Sequence, residues 1–448
     1  MGSEMCIRDR ITSGEKLPSS RSLCKYLEVS RSTVELAYEQ LISEGYVEAV
    51  PCKGYFAAEL EGMYRLDVVP ALVGAEEKTE KKEWKYDFTP NGVDLNSFPY
   101  NVWRRLAKDS LLDDRAEMFR LGDSQGEYGL RSAISRYLYQ ARGVNAHPDQ
   151  IIIGAGTEYL YSILIQLLGR NVCYGVENPG YPKIAKIYRS MGVKYEYIDL
   201  DEEGTSAKKL EEKKVDIMHI SPSHHFPTGM VMPISKRYEL LGWVTRKKER
   251  YIIEDDYDSE LRLAGKPIPS LQSIDVSGKV IYINTFAKTL CSTVRISYMV
   301  LPEALAEKYY RELSFYSCTV SNFEQYTLAA FMNAGAFEKH INRLRNYYQH
   351  KRDLILSTFL REPLGKYITI SEEDSGVHFL MHVNTSMSEQ EFLLKTRAKG
   401  IRLATLSSFY NAEQKDSRYE NTYVMNYSFV DCDRLEYVAQ TLYKIIHP

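Results

Sequence analysis

Lys288 follows the run Val280-Ile281-Tyr282-Ile283-Asn284-Thr285-Phe286-Ala287, in which a continuous apolar stretch opens into a turn. A lysine delivered to the mouth of a parallel sheet can condense its amine with an aldehyde as a Schiff base. Thr285, just before it, and Arg295, seven residues after it, are a hydroxyl and a guanidinium able to clamp a phosphate. The planar, bidentate guanidinium fills that role better than an ammonium. A second strand pattern, Tyr251-Ile252-Ile253, ends in Glu254-Asp255-Asp256-Tyr257. There the Asp255 carboxyl can keep a ring nitrogen protonated, and the Tyr257 phenol can donate to a ring oxygen. Gly154-Ala155-Gly156-Thr157-Glu158 stands between a strand and an apolar helix, where small residues let backbone amides at a helix N-terminus meet a phosphate. Tyr181 sits in the rigid loop Glu177-Asn178-Pro179-Gly180-Tyr181-Pro182, placed to stack on a flat ring. These groups converge on one ligand chemistry, a phosphorylated pyridine aldehyde such as pyridoxal phosphate.

The elements that must position them show as alternation. Ile151-Ile152-Ile153, Asn171-Val172-Cys173-Tyr174 and Val215-Asp216-Ile217-Met218-His219-Ile220 join the two runs above as strand candidates, separated by helical patterns. That order predicts an α/β layered domain with a mostly parallel sheet. Between Ala58 and Tyr86 periodicity is lost, and the mixed-charge run Glu76-Glu77-Lys78-Thr79-Glu80-Lys81-Lys82-Glu83 reads as a solvated tether. The expected organisation is a front domain over residues 1–58, a linker over 59–85 and a main domain over 86–448. Within the last, a large domain over about 120–315 and a small α+β domain from 86–119 plus 316–448 are expected.

In the front segment, Leu17-Pro18-Ser19-Ser20-Arg21 opens a helix that Ser19 or Ser20 can cap, with Leu23, Tyr26 and Leu27 on one side. A turn at Glu28-Val29 leads into a second helix beginning Ser30-Arg31-Ser32-Thr33, whose stripe Val34, Ala37, Tyr38, Leu41 and Ile42 is expected to be buried. Gly45-Tyr46-Val47-Glu48-Ala49-Val50, the turn Pro51-Cys52-Lys53-Gly54 and Tyr55-Phe56-Ala57 read as a two-stranded wing. In a helix-turn-helix the first residues of the second helix approach base edges, which points to Arg31, Ser32 and Thr33.

Bulk properties narrow the class. With 448 residues and 44% hydrophobic composition the chain can bury substantial cores, and a net charge of −3 confines any nucleic-acid contact to a local surface. No apolar run is long enough to cross a bilayer and no signal core opens the chain, so a cytoplasmic protein is expected. Seven cysteines are scattered without CxxC pairs or histidines at metal spacing, so reduced thiols and no metal are expected.

The run over residues 17–56 resembles the winged helix-turn-helix of the GntR family, in its LPSSR, VSR-TV and closing wing. The resemblance implies that Arg21, Arg31 and Thr33 contact DNA, with Lys53 on the wing. That family carries a further helix ahead of this point, whereas Met-Gly-Ser-Glu-Met-Cys-Ile-Arg-Asp-Arg shows no apolar stripe. The first helix is therefore expected to be missing, leaving Leu27 and Leu41 incompletely covered. From Tyr86 onward the chain resembles the fold-type I aminotransferase domain of the MocR/GabR branch of GntR regulators. Gly126-Glu127-Tyr128-Gly129-Leu130-Arg131, Ser221-Pro222-Ser223-His224-His225-Phe226-Pro227-Thr228-Gly229 and a helix over residues 335–352 add to the likeness. By it, Lys288 carries pyridoxal phosphate, Asp255 and Tyr257 hold the ring, Tyr181 stacks, and Gly156, Thr157, Thr285 and Arg295 surround the phosphate. Where the family often has an effector-gripping arginine stands Lys183, and Tyr423-Val424-Met425-Asn426-Tyr427-Ser428-Phe429 contains no arginine. The expectation is a homodimeric, DNA-operator-binding regulator that senses an amine or amino acid. A pyridoxal-phosphate-dependent aminotransferase acting on a small amino compound, and a scaffold in which both motif sets are relics, are the alternatives.

Overall fold

Two serines start the helices of the N-terminal part. Ser19 caps α1 (Ser20–Leu27) by accepting from Ser22 N at 3.2 Å, and Ser30 caps α2 (Arg31–Ser43) by accepting from Thr33 N at 3.1 Å. Between them Glu28 adopts the left-handed conformation, φ 54°, that ends α1. Strands β1 (Val47–Val50) and β2 (Gly54–Ala57) pair antiparallel as the wing, and residues 14–17 run beside β2 through Leu17 N to Tyr55 O at 2.8 Å. The computed structural model describes residues 11–59, 84–89, 92–112, 116–265, 268–374, 376–411 and 419–447. The expectations for residues 1–10 and for the charged run 76–83 lie outside these. The chain separates into two compact units, Met1–Lys82 and Glu83–Pro448.

Among the described residues the core of the first unit is small. Val34, Tyr38 and Val47 are buried, and Tyr38 stacks on Tyr55 at 4.3 Å while donating to Pro18 O at 2.7 Å. The expected five-residue stripe on α2 is narrower than its sequence period suggests. Leu41 and Ile42 are half-buried and Ala37 is exposed, while Val34 and Tyr38 form the fully covered i, i+4 row, Tyr38 beneath the wing's Tyr55. On α1, Leu23 is half-buried, but Tyr26 is 83% and Leu27 52% exposed.

The second unit opens with β3 (Tyr86–Asp87), α3 (Tyr100–Leu112) and α4 (Tyr128–Arg142). Its main sheet takes β4 (Ile151–Gly154), β5 (Tyr174–Asn178), β6 (Tyr195–Asp199), β7 (Ile217–Ile220), β8 (Tyr251–Asp255), β9 (Val280–Thr285) and β10 (Ser297–Val300). They lie in the order β4-β10-β9-β8-β7-β5-β6, with only β10 antiparallel to its neighbours. Helices α5 (Thr157–Leu168), α6 (Pro182–Ser190), α7 (Ala207–Glu212) and α8 (Ile234–Val244) alternate with these strands. Ile151, Ile152, Ile153, Ile281, Tyr282 and Ile283 are all fully buried, as continuous apolar runs are in a sheet covered on both faces. After α9 (Glu303–Leu313), α10 (Asn322–Asn333) and α11 (Ala336–Phe359) come β11 (Ile368–Ser371), β12 (His378–Val383), α12 (Glu389–Ala398), β13 (Ile401–Arg402), β14 (Ala404–Thr405), β15 (Thr422–Asn426) and α13 (Leu435–Ile446). Their antiparallel sheet has the order β11-β12-β15-β14, while β13 pairs with β3. Among the described residues no helix is long and apolar enough to cross a membrane.

Strand boundaries depart from the apolar runs in an informative way. The run over residues 171–174 only approaches its strand, which begins at Tyr174, because the Asp216 carboxylate takes Cys173 N at 3.0 Å. Both β8 and β9 continue past their apolar residues into Asp255 and Thr285.

Under the carboxyl end of β8, α4 delivers Arg142 to a buried ion pair, Nε to Asp256 Oδ2 at 2.8 Å and Nη2 to Asp256 Oδ1 at 3.1 Å. Tyr282 donates to the same carboxylate at 2.6 Å. Removing one partner leaves an uncompensated buried charge, so Arg142→Met should cost about 3–5 kcal/mol. Urea unfolding read by tryptophan emission measures this in the second unit, where Trp84, Trp103 and Trp243, all three of the chain's tryptophans, reside. Arg142→Met/Asp256→Leu should regain part of the loss; a double variant no more stable than the single one would refute the pairing account.

Candidate functional site

The carboxyl ends of β4, β5, β7, β8 and β9 open into a cavity of about 560 Å³, where ligands of open α/β sheets bind. Its walls include Gly156, Thr157, Tyr181, Lys183, Asp255, Tyr257, Thr285, Lys288 and Arg295. The residues singled out from the sequence for cofactor and effector contact thus share one space. Arg21, Arg31, Ser32, Thr33 and Lys53 lie in the first unit and are all exposed, Arg31 in an i, i+4 pair with Glu35 at 2.7 Å.

Lys288 closes a short 3₁₀ turn after β9, Phe286–Lys288, capped by Thr285. Thr285 Oγ1 accepts from Ala287 N at 3.2 Å and from Ser297 Oγ at 2.8 Å. Burial pushes the Lys288 ammonium down to about 8, opposed by the carboxylates of Asp258 and Asp255.

Asp255 Oδ2 accepts from Tyr161 Oη at 2.9 Å, and the same hydroxyl lies 2.9 Å from His219 Nε2. Burial, followed by the Asp255 charge, raises the Tyr161 phenol well above its ordinary range, so it remains a donor. Asp255 Oδ1 is buried and has no hydrogen-bond partner. A buried acceptor left unmade costs about 1–3 kcal/mol, which a donor from a ligand in the cavity would offset.

At the other end, Gly156 precedes α5 with φ 97°, and a Cβ there would lie 2.1 Å from Arg295 Nη2. Only glycine allows that approach. Arg295 Nη2 donates to Glu158 Oε2 at 2.9 Å and to Ala155 O at 3.3 Å, and Lys183 pairs with Glu158 Oε1. Burial raises the Glu158 carboxyl, but hydrogen bonds from Lys183 and Arg295 outweigh it and hold the group at about 2.

Tyr181, half exposed, meets Phe226 edge to face at 6.0 Å, and Phe226 meets Phe409 at 5.2 Å. Gly180 N to Phe409 O at 3.2 Å and Asn411 N to Asn178 Oδ1 at 2.9 Å tie these loops together. Tyr257 Oη lies 3.3 Å from His224 Nδ1, which is 2.8 Å from Asp258.

Sequence reasoning missed Tyr161, His219, Glu158 and Phe226. Tyr161 falls one helical turn after Thr157 and so faces the same strand ends. His219 is the one polar residue in the fully buried strand Ile217–Ile220, a signal available without coordinates. Among the described residues no cluster suited to a metal ion is present.

Comparison with known proteins agrees with this geometry. Residues 90–418 match the aminotransferase class I and II family, whose members are pyridoxal-phosphate-dependent, and residues 3–56 match the gntR family of bacterial regulatory proteins. The chain is 40% identical over 403 residues to the uncharacterized HTH-type transcriptional regulator YdeL of Bacillus subtilis (strain 168), covering 90% of this chain and 87% of that protein. It is 29% identical over 407 residues to the probable rhizopine catabolism regulatory protein MocR of Rhizobium meliloti, covering 88% and 82%. The multiple substrate aminotransferase from Thermococcus profundus shares the fold, with a TM-score of 0.69 at 21% identity over 82% of this chain and 92% of that one. A helix-turn-helix head, a fold-type I domain and regulator relatives spanning both place the chain in the gntR family of transcription regulators, with the MocR/GabR architecture.

Proposed function

We propose that the second unit holds pyridoxal phosphate on Lys288 and uses it to detect an amine or amino acid, altering how the first unit engages an operator. The observation that carries this reading is the unpartnered Asp255 Oδ1 in the cavity that also presents the Lys288 amine. A pyridine nitrogen bearing a proton supplies the missing donor. The residues present fit the group. Asp255 receives the ring nitrogen, with its other oxygen fixed by Tyr161; Tyr257 serves the ring oxygen and Tyr181 the ring face. Gly156, Thr157, Thr285 and Arg295 take the phosphate, and the glycine leaves room where a side chain would collide.

When bound, the cofactor supplies an aldehyde with which amines condense. The chain's part is to hold Lys288 with an amine pushed down to about 8, so that a neutral, nucleophilic fraction exists near neutral pH. Phe226, Tyr181 and Phe409 wall the approach, and Lys183 is the residue for an effector's carboxylate, a point charge and not a bidentate clamp. Arg21, Arg31, Ser32 and Thr33 face base edges and phosphates, with Lys53 on the wing. A cytoplasmic homodimer with paired heads suits a two-part operator. An effector moves the DNA-binding equilibrium only by differing in affinity for two arrangements of the molecule. An aminotransferase acting on a small amino compound is the second reading, supported by the aminotransferase class I and II match over residues 90–418.

Three outcomes test this. Protein supplied with pyridoxal phosphate should turn yellow, and borohydride should fix the label at position 288, with neither in Lys288→Ala; colourless wild-type protein rejects the reading. The attachment rate should climb from about pH 6 through about 8 and level off above it, because the reactive neutral amine grows as pH rises; a rate falling over that range contradicts the assignment. On a duplex selected by the protein from a random pool, Lys53→Ala should weaken binding evenly across sequences and lower the salt slope by about 1. An amine that changes the absorbance but not DNA affinity, while being turned over, would favour the aminotransferase.

A further inference from the structure

Glu158 is a charged wall residue to which the proposed cofactor contacts give no role. It stands in the first turn of α5, and its two oxygens serve different elements. Oε2 accepts from Arg295 Nη2 at 2.9 Å, and Oε1 pairs with the ammonium of Lys183 in the first turn of α6. A Cβ at Gly156 would lie 2.1 Å from Arg295 Nη2 and 2.7 Å from Glu158 Oε2, so turn, guanidinium and carboxylate share one small volume. The Glu158 side chain is 33% exposed, so burial does not force it there; the two cations draw it in.

We propose that Glu158 is an internal anion in the phosphate cradle, competing with the cofactor's phosphate for Arg295. The inference rests on the reading that Gly156, Thr157, Thr285 and Arg295 receive the phosphate of pyridoxal phosphate. A guanidinium has five N–H donors in a fixed fork, and the Nη2 that faces the turn is already engaged by the Glu158 carboxylate and Ala155 O. A phosphate entering the cradle must share or displace that carboxylate, and two anions beside one guanidinium repel across a few ångströms. Partial exposure moderates the repulsion without abolishing it. The phosphate is therefore held less tightly than the guanidinium alone would hold it, and the cofactor stays exchangeable. Toward the cofactor Glu158 acts through Arg295, since its other partner, Lys183, is assigned to the effector and neither Asp255 nor Lys288 is among its partners.

The full chain and Glu158→Gln are each titrated with pyridoxal phosphate and, separately, with pyridoxal, which lacks the phosphate, following the absorbance of attached aldehyde. Glutamine keeps the shape and an acceptor for Arg295 while removing the charge, and matched thermal melts confirm that it folds. E158Q should bind pyridoxal phosphate about tenfold more tightly, with pyridoxal affinity changed less than about twofold. Unchanged or weakened binding of pyridoxal phosphate by E158Q overturns the proposal. An equal gain for pyridoxal also overturns it, since the substitution would then have loosened the cavity in general. Wild-type protein that attaches neither aldehyde brings down the Lys288 reading itself. Equal attachment by wild type and E158Q leaves that reading standing and removes only the competition.

Discussion

A carboxylate placed at the end of a buried strand needs donors, and the site is organised around how Asp255 obtains them. One oxygen takes the Tyr161 hydroxyl at 2.9 Å from the helix that follows β4, and the other is buried without a partner. A fully satisfied Asp255 would have been an ordinary strand end, and an unpaired one on both oxygens would have been too costly to fold. Half satisfaction fixes the carboxylate's orientation while leaving one acceptor for a ligand. Tyr161 can serve because it is locked between α5 and the sheet, where burial keeps its phenol protonated.

The same edge of the sheet carries a second group of acids, and its energetics differ. Asp256 points to the opposite face from Asp255, as strand alternation requires, and is met by Arg142 and Tyr282. Around it burial raises the carboxyls of Glu254 and Glu260, each to about 7, with the Asp256 charge adding to the effect. Glu254 accepts from Leu271 N at 2.7 Å and Gln272 N at 2.8 Å, which anchors the segment leading to β9. Arg142 stands among several acids, with Arg237 in electrostatic reach of Glu254 and Asp256 and Arg345 donating to Glu260 O at 2.6 Å, so the face away from the cavity is held by ionic contacts while the cavity face stays open to chemistry.

Sequence and structure agree where a residue's role follows from its own element, and part where it depends on a neighbour. The apolar runs gave five of the seven strands of the main sheet, missing Tyr195–Asp199 and Ser297–Val300, and the residues at their carboxyl ends were identifiable because parallel strands present those ends to a shared crevice. Tyr161, His219 and Glu158 were not identified, since each acts through a partner on another element. The second helix of the N-terminal unit shows the opposite error. Its helical period marked Ala37, Leu41 and Ile42 for burial, yet among the described residues only Val34 and Tyr38 of that stripe are fully covered, Leu41 and Ile42 being half-buried and Ala37 exposed. Amphipathic periodicity states which face can be buried, and only the packing partner decides how much of it is.

That distinction also separates the two units in kind. Among its described residues the first rests on three buried hydrophobic side chains, one aromatic stack and two serine caps, so local hydrogen bonds count there as much as a core. The second buries whole strands between helical layers, and it can keep an unpaired carboxylate oxygen and a half-buried lysine because the surrounding contacts overdetermine their positions. Strained chemistry is tolerated only where a large core holds it. A ligand site of this type therefore belongs in the second unit, and the first is left with what a small, cap-dependent helix pair does well: it presents Arg31, Ser32 and Thr33 on a helix start whose geometry Ser30 already fixes.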